Sequence, residues 1–253
     1  GTNWTEVSDL NTGRMDLGGI GDSNTSALAF GGLNPGSNLN STEEYSNFSW
    51  ATGGNLTTAV ARHAGAGTQT AGLSFGGQST GITGQTEEYG GASWTSGGTM
   101  NTARSLLAGA GLQTAGLAFG GNEPALSNKT EEYDGSSWTA SGVLNTARKL
   151  LAGCGTQTAG LAFGGTPGSG NLADTEEYNG SSWTASNDLN TAGHGLAGAG
   201  AQDNALAFAG SGRPTATEEY DGTLWTTSPA TLANGRQLLG GAGTRAAGLG
   251  FGG

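Results

Sequence analysis

Half of the chain's 20 acidic residues stand as five Glu-Glu pairs, each inside the phrase Thr-Glu-Glu-Tyr. The phrases end at Tyr45, Tyr89, Tyr133, Tyr178 and Tyr220. Paired carboxylates can hold a cation, act as acid and base, or bind a basic partner. On a β-strand, however, neighbouring side chains face opposite ways. Glu44, Glu88, Glu132, Glu177 and Glu219 therefore point away from the glutamate before each of them. A ring of carboxylates for cations is one reading. Pairing with arginines or backbone donors inside the fold is the other, because a buried carboxylate must be paired. Equal recurrence in every unit favours the structural role.

Other candidate chemistry is sparse. Gly72-Leu73-Ser74-Phe75-Gly76 fits the G-x-S-x-G pattern of a nucleophilic serine, which needs a strand-to-helix turn with His and acidic partners. Here it lies inside a repeated strand, and the Ser74 slot holds Ala29, Ala118, Ala162, Ala207 and Gly250 in the other units. The two histidines are not equivalent: His63 takes a Leu slot and His194 a Ser slot. Cys154 shares its slot with Ala66, Ala110, Ala199 and Ala242, so it reads as a small core residue. The expectation is no catalytic residue, no metal and no cofactor.

The elements that would position these groups follow from composition. Glycine supplies 51 of 253 residues, against 5 prolines. That excludes collagen, and it opposes helices, since each interior glycine costs about 1 kcal/mol relative to alanine. The aromatic content argues against disorder, and no apolar run approaches the ~20 residues of a membrane helix. The net charge of −11 is the wrong sign for nucleic acid or an anionic membrane. These features leave an all-β protein with tight turns.

A repeat sets the organisation. A tryptophan follows each Thr-Glu-Glu-Tyr, at Trp50, Trp94, Trp138, Trp183 and Trp225, and Trp4 is a sixth without its tyrosine. Phe30, Phe75, Phe119, Phe163, Phe208 and Phe251 recur at intervals of 43 to 45 residues. Each unit offers four strands: a small-residue strand, a Leu-x-Phe strand, a Tyr strand and a Trp strand. Asp134-Gly135, Asn179-Gly180 and Asp221-Gly222 supply hairpin turns between the last two. Bulky groups on one face and Gly or Ala on the other suit sheets packed face to face. Four short antiparallel strands per unit describe a propeller blade, and one domain spans residues 1–253.

The pattern of Gly-Gly after an apolar strand, then Tyr, Trp and a basic residue, resembles the kelch repeat. Ala209-Gly210 replaces the glycine pair in one unit. The basic slot holds Arg14, Arg104, Arg148 and Arg236, with Val60 and Gly193 in the other two units. The uniform wording, Thr-Glu-Glu-Tyr and Thr-Gln-Thr-Ala-Gly-Leu, is similar to kelch-like arrays of bacteriophage proteins. The resemblance implies a six-bladed β-propeller with blades of about 44 residues. It implies a non-enzymatic module on a virion surface or tail fibre, extracellular, engaging a host glycan or protein. Partners would include other virion or filament subunits. A purely structural assembly module is the alternative. A galactose-oxidase- or sialidase-like enzyme is disfavoured: histidines are few, and glycine directly follows Asp134 where an Asp-box would space it.

Counting strands gives 23, one short of six complete blades. The last blade would combine two C-terminal strands with the Trp4 strand, the chain starting in the hairpin turn at Gly1-Thr2. The missing Tyr strand would come from flanking sequence of a longer polypeptide or from a partner by β-augmentation. The linkers between Phe and Tyr strands differ most between units, and insertions in repeat folds collect on one, often binding, face. Asn34, Asn38, Gln78, Asn122, Glu123, Asn171 and Arg213 are the candidate contact residues there.

Overall fold

The computed structural model describes residues 3–253; the turn expected at Gly1-Thr2 lies outside them. Five four-stranded antiparallel sheets follow one another along the chain. The first comprises Gly18–Ser23, Ser26–Phe30, Thr42–Ser46 and Ser49–Thr52. The second comprises Ala64–Gly67, Gly72–Phe75, Thr86–Tyr89 and Trp94–Ser96. The third runs Ala108–Leu112, Ala115–Phe119, Thr130–Tyr133 and Trp138–Ser141, and the fourth Ala152–Thr156, Ala159–Phe163, Thr175–Tyr178 and Trp183–Ala185. The fifth holds Ala197–Ala201, Asn204–Phe208, Thr217–Tyr220 and Trp225–Thr227. Gly240–Thr244 and Ala247–Phe251 form a two-stranded sixth sheet. Innermost strands touch their neighbours all the way round, and Gly240–Thr244 closes onto Gly18–Ser23. The fold is an all-β propeller with five complete blades and a partial one, without helices among the described residues.

One expectation needs correction. Trp4 occupies no strand, because a Trp strand can pair only with a Tyr strand and the partial blade has none. The linkers also hold two short ribbons, Leu33–Asn34 with Ser37–Asn38 and Asn122–Glu123 with Ala125–Leu126.

Face-to-face packing explains much of the glycine. A Cβ on Gly153 would lie 2.3 Å from Phe119 Cζ, and one on Gly160 would lie 2.7 Å from Leu117 Cδ2. The Leu and Phe of one blade thus occupy the glycine face of the next. Each Trp stacks on the Phe of the preceding blade, as in Phe75–Trp138 and Phe119–Trp183, both with centroids 4.9 Å apart. The same contact continues through the gap: Trp4 stacks on Phe208 at 4.9 Å, and Trp50 on Phe251 at 5.0 Å.

At one mouth of the axis the connecting segments form a closed hydrogen-bonded circuit. Asp16 donates to Leu238, Leu238 to Gly195, Gly195 to Leu150, Leu150 to Leu106, Leu106 to Arg62, and Arg62 back to Asp16. Nitrogen–oxygen distances run from 2.7 to 3.0 Å. Each of these residues sits at positive φ, between 53° and 61°.

Ala209 replaces the first glycine of its pair and is held at φ 60°, a conformation that costs a non-glycine residue roughly 1–2 kcal/mol. Ala209→Gly is therefore expected to stabilise the protein by about 1 kcal/mol, after the greater chain entropy of glycine is discounted. A urea midpoint equal to or below wild type would refute this.

Candidate binding surfaces

The repeated charges are engaged inside the blades. Glu131, the first glutamate of its pair, accepts from the backbone N–H groups of Asn101 and Thr102 and from Arg104 Nη2 at 3.1 Å. Arg14–Glu43 and Arg148–Glu176 repeat the arrangement at 2.7 and 2.5 Å. All three guanidinium side chains are fully buried. Glu87 receives only the N–H groups of Thr57 and Thr58, because Val60 stands in the arginine slot. In the fifth blade Gly193 leaves that slot empty, and Arg213 enters from the linker to meet Glu218 at 3.2 Å. A Cβ on Gly193 would lie 2.8 Å from Arg213 Cδ, so the glycine makes the room. Arg213 was expected as a loop contact; it is 2% exposed and unavailable to a ligand.

The second glutamates face the next blade. Tyr89, Tyr133, Tyr178 and Tyr220 donate their hydroxyls to Glu44, Glu88, Glu132 and Glu177. Burial, together with these carboxylates, pushes the four phenols up to about 12. The Trp indoles add a second tie. Trp94, Trp138, Trp183 and Trp225 donate Nε1 to Thr42, Thr86, Thr130 and Thr175 at 2.8–3.0 Å. Gln69, Gln113, Gln157 and Gln202 provide a third, each reaching back to the Tyr carbonyl of the preceding blade.

The linkers occupy the face that carries the axial circuit, bridged to its connecting segments at pairs such as Met15–Leu33, Ala61–Gln78 and Lys149–Thr166. Their polar side chains largely tie neighbours together. Asn38 Nδ2 donates to the Gln78 and Ser79 carbonyls of the next linker. Asn171 donates to the Ser211 carbonyl, and its Oδ1 meets His194 Nδ1 at 2.7 Å. Asn34 donates to the Gly13 carbonyl, and Gln78 Oε1 accepts from Arg62. Glu123 accepts from Ser127 and pairs with Lys129 at 3.0 Å, while Asn122 bridges to Ser105. All six of these residues remain partly accessible. At the mouth of the axis, Asp16 and Arg62 pair at 3.2 Å, beside a cavity of about 90 Å³. Burial raises the Asp16 carboxyl, with Arg62 opposing the shift.

The remaining nucleophile candidates are closed off. Ser74 is buried within its strand. Burial pushes the Cys154 thiol up to about 12, leaving it without thiolate character. His63 is 5% exposed, neither ring nitrogen has a hydrogen-bond partner, and it packs on Phe30 at 5.3 Å. Among the described residues, no group of three His, Cys, Asp or Glu side chains is placed to hold a metal ion.

A cavity of about 740 Å³ lies at the partial blade. Its walls include Trp4, Trp50, Arg236, Arg245, Leu249 and Phe251. The last sheet has two strands where the others have four, and the sequence did not show how many side chains this leaves without partners.

No family model matches the chain, and no curated protein matches it.

Proposed function

We propose that this chain is a non-enzymatic recognition module whose contacts are made by the variable linkers on one face of a rigid kelch-like propeller. In the finer reading of the fold, the ring is six-bladed, and the segment around Trp4 shares the sixth position with Gly240–Thr244 and Ala247–Phe251. One observation carries the functional reading. The repeated Glu, Tyr, Trp and Arg groups are engaged within and between blades, whereas the linkers differ from blade to blade and share one face. Groups that satisfy each other cannot also serve a substrate, so the unrepeated surface is where specificity would reside.

The similarity of the repeat wording to phage kelch-like arrays supports a place on a virion surface or tail fibre. The ligand would be a host glycan or protein, met by several copies whose weak sites gain by multivalency. A bacterial glycan array and a whole-cell binding assay test this. Grafting linker 122–129 in place of linker 166–174 is expected to abolish binding, with only a small fall in melting temperature from the lost Asn171 contacts to Ser211 and His194. No binding by the unmodified chain in either assay would sink the proposal.

A further inference from the structure

Several of the blade-to-blade ties described above have one end missing at the partial blade, although Arg245 still reaches the Tyr220 carbonyl at 2.9 Å as the spanning glutamines do. Tyr45 is fully buried, yet its hydroxyl has no partner, whereas its four counterparts donate to a second glutamate. It belongs to the apolar cluster that contains Leu249 and Phe251 of the partial blade. Trp50 stacks on Phe251, but among the described residues its Nε1 lacks the threonine hydroxyl that the other five tryptophans reach, Trp4 through Thr217 included. Arg236 donates to the Gly252 carbonyl at 3.0 Å, as Arg104 does to Gly120. Unlike Arg104, it has no carboxylate partner among the described residues and is partly exposed. Arg245 replaces the spanning glutamine and meets Glu219 at 3.3 Å, the glutamate that a sixth tyrosine would otherwise address. Glu6 fills one position of the cleft, accepting from Asn234 Nδ2 at 3.1 Å.

From these unpaired ends we infer that the cleft is a docking site for one extended, acidic peptide strand of the pattern Thr-Glu-Glu-Tyr. The register follows from the five complete blades, where Phe faces Thr, the next residue faces the first Glu, Leu faces the second Glu and Gly faces Tyr, as in Phe119–Thr130 through Gly116–Tyr133. The incoming threonine lies opposite Phe251 and accepts from Trp50 Nε1. The first glutamate lies opposite Gly250 and meets Arg236. The second glutamate lies opposite Leu249 and accepts from Tyr45. The tyrosine lies opposite Gly248. Main-chain bonds to the open edge of Ala247–Phe251 supply affinity, and these side chains supply the pattern. Arg236, which has no carboxylate partner among the described residues, favours a carboxylate at the first-glutamate position. A second copy of this chain is a poor donor, since its own Thr-Glu-Glu-Tyr segments are central strands of its blades. The inference is independent of the linker reading, because peptide binding and glycan binding are separate readouts.

The test uses the full chain and a capped peptide with the sequence of residues 127–134, Ser-Asn-Lys-Thr-Glu-Glu-Tyr-Asp. Calorimetry and native mass spectrometry are expected to show one peptide bound per chain, with a raised melting temperature. A scrambled peptide should bind at least tenfold more weakly. Tyr45→Phe should weaken binding severalfold without lowering the free protein's melting temperature, since the hydroxyl has no partner there. Arg236→Gln should weaken binding by a larger factor. Three results would overturn the proposal: no binding at millimolar peptide, equal binding of the scrambled peptide, or a dimer of the chain that occupies the cleft and excludes the peptide.

Discussion

Glu131→Ala is expected to cost about 3–5 kcal/mol of stability, the usual penalty for removing one partner of a buried ion pair. The Arg104 guanidinium is fully buried, and burial pulls its pKa below the usual value while Glu131 pulls it back. Without the carboxylate, the cation keeps only the Gly120 and Lys129 carbonyls, at 2.9 and 2.7 Å. The backbone N–H groups of Asn101 and Thr102 lose their acceptor as well. Against a total of roughly 5–15 kcal/mol for a typical domain, such a loss moves the urea midpoint far down. The repeat offers an internal control. Glu87 makes the same backbone contacts without an arginine, so Glu87→Gln leaves no orphaned charge and should cost only about 1–2 kcal/mol. Equal losses at the two positions would show that the ion pair is not the source of the effect.

His63→Leu is expected to stabilise the protein, and to do so more strongly in acid. Burial pushes the His63 imidazole down to about 4; the Arg14 charge adds to this, and a poorly aligned approach to the Phe30 carbonyl offsets it only in part. The unfolded chain holds its histidine near the ordinary value of about 6.5. Between these values the unfolded state binds the extra proton. The stability associated with neutral His63 is therefore complete above about pH 6.5 and lost as pH falls towards 4. The loss between pH 7 and pH 5 comes to about 2 kcal/mol. Leu17, Leu107, Leu151, Leu196 and Leu239 fill the same slot in the other blades, and leucine carries no unpaired nitrogen. At neutral pH the gain should be about 1–3 kcal/mol, the cost of leaving buried polar atoms unsatisfied. Denaturation curves of both proteins at pH 7 and pH 5 check this; a stability difference that does not widen in acid would contradict it.

These two sites also show what the sequence made legible. The Tyr–Trp spacing and the Asp-Gly turns identified strand identity and order, because local chemistry dictates both. The opposed faces of each Glu-Glu pair followed from strand geometry alone. Arg213 was not legible in the same way. Its role depends on Gly193, twenty positions earlier, leaving a hole that only three-dimensional packing connects to it. The axial circuit escaped notice for a related reason. Leu106, Leu150 and Leu238 carry no turn chemistry, and only the closure of the ring holds them at positive φ. The strand expected at Trp4 failed because a tryptophan in the right place cannot form a ladder without a neighbour. The linkers remained the least readable part, since residues such as Asn38 and Asn171 bond to the adjacent linker rather than within their own.

The axial circuit has an electrostatic consequence. In a helix, peptide dipoles align head to tail and leave partial charges at two ends. Here the same kind of chain bites its own tail: six amides follow one another around the opening, each donating to the next, so their components around the ring cancel. The circuit therefore has no free donor end and no free acceptor end of the kind that charges a helix terminus. The charged side chains at this opening, Asp16 and Arg62, pair with each other and are neutral in sum.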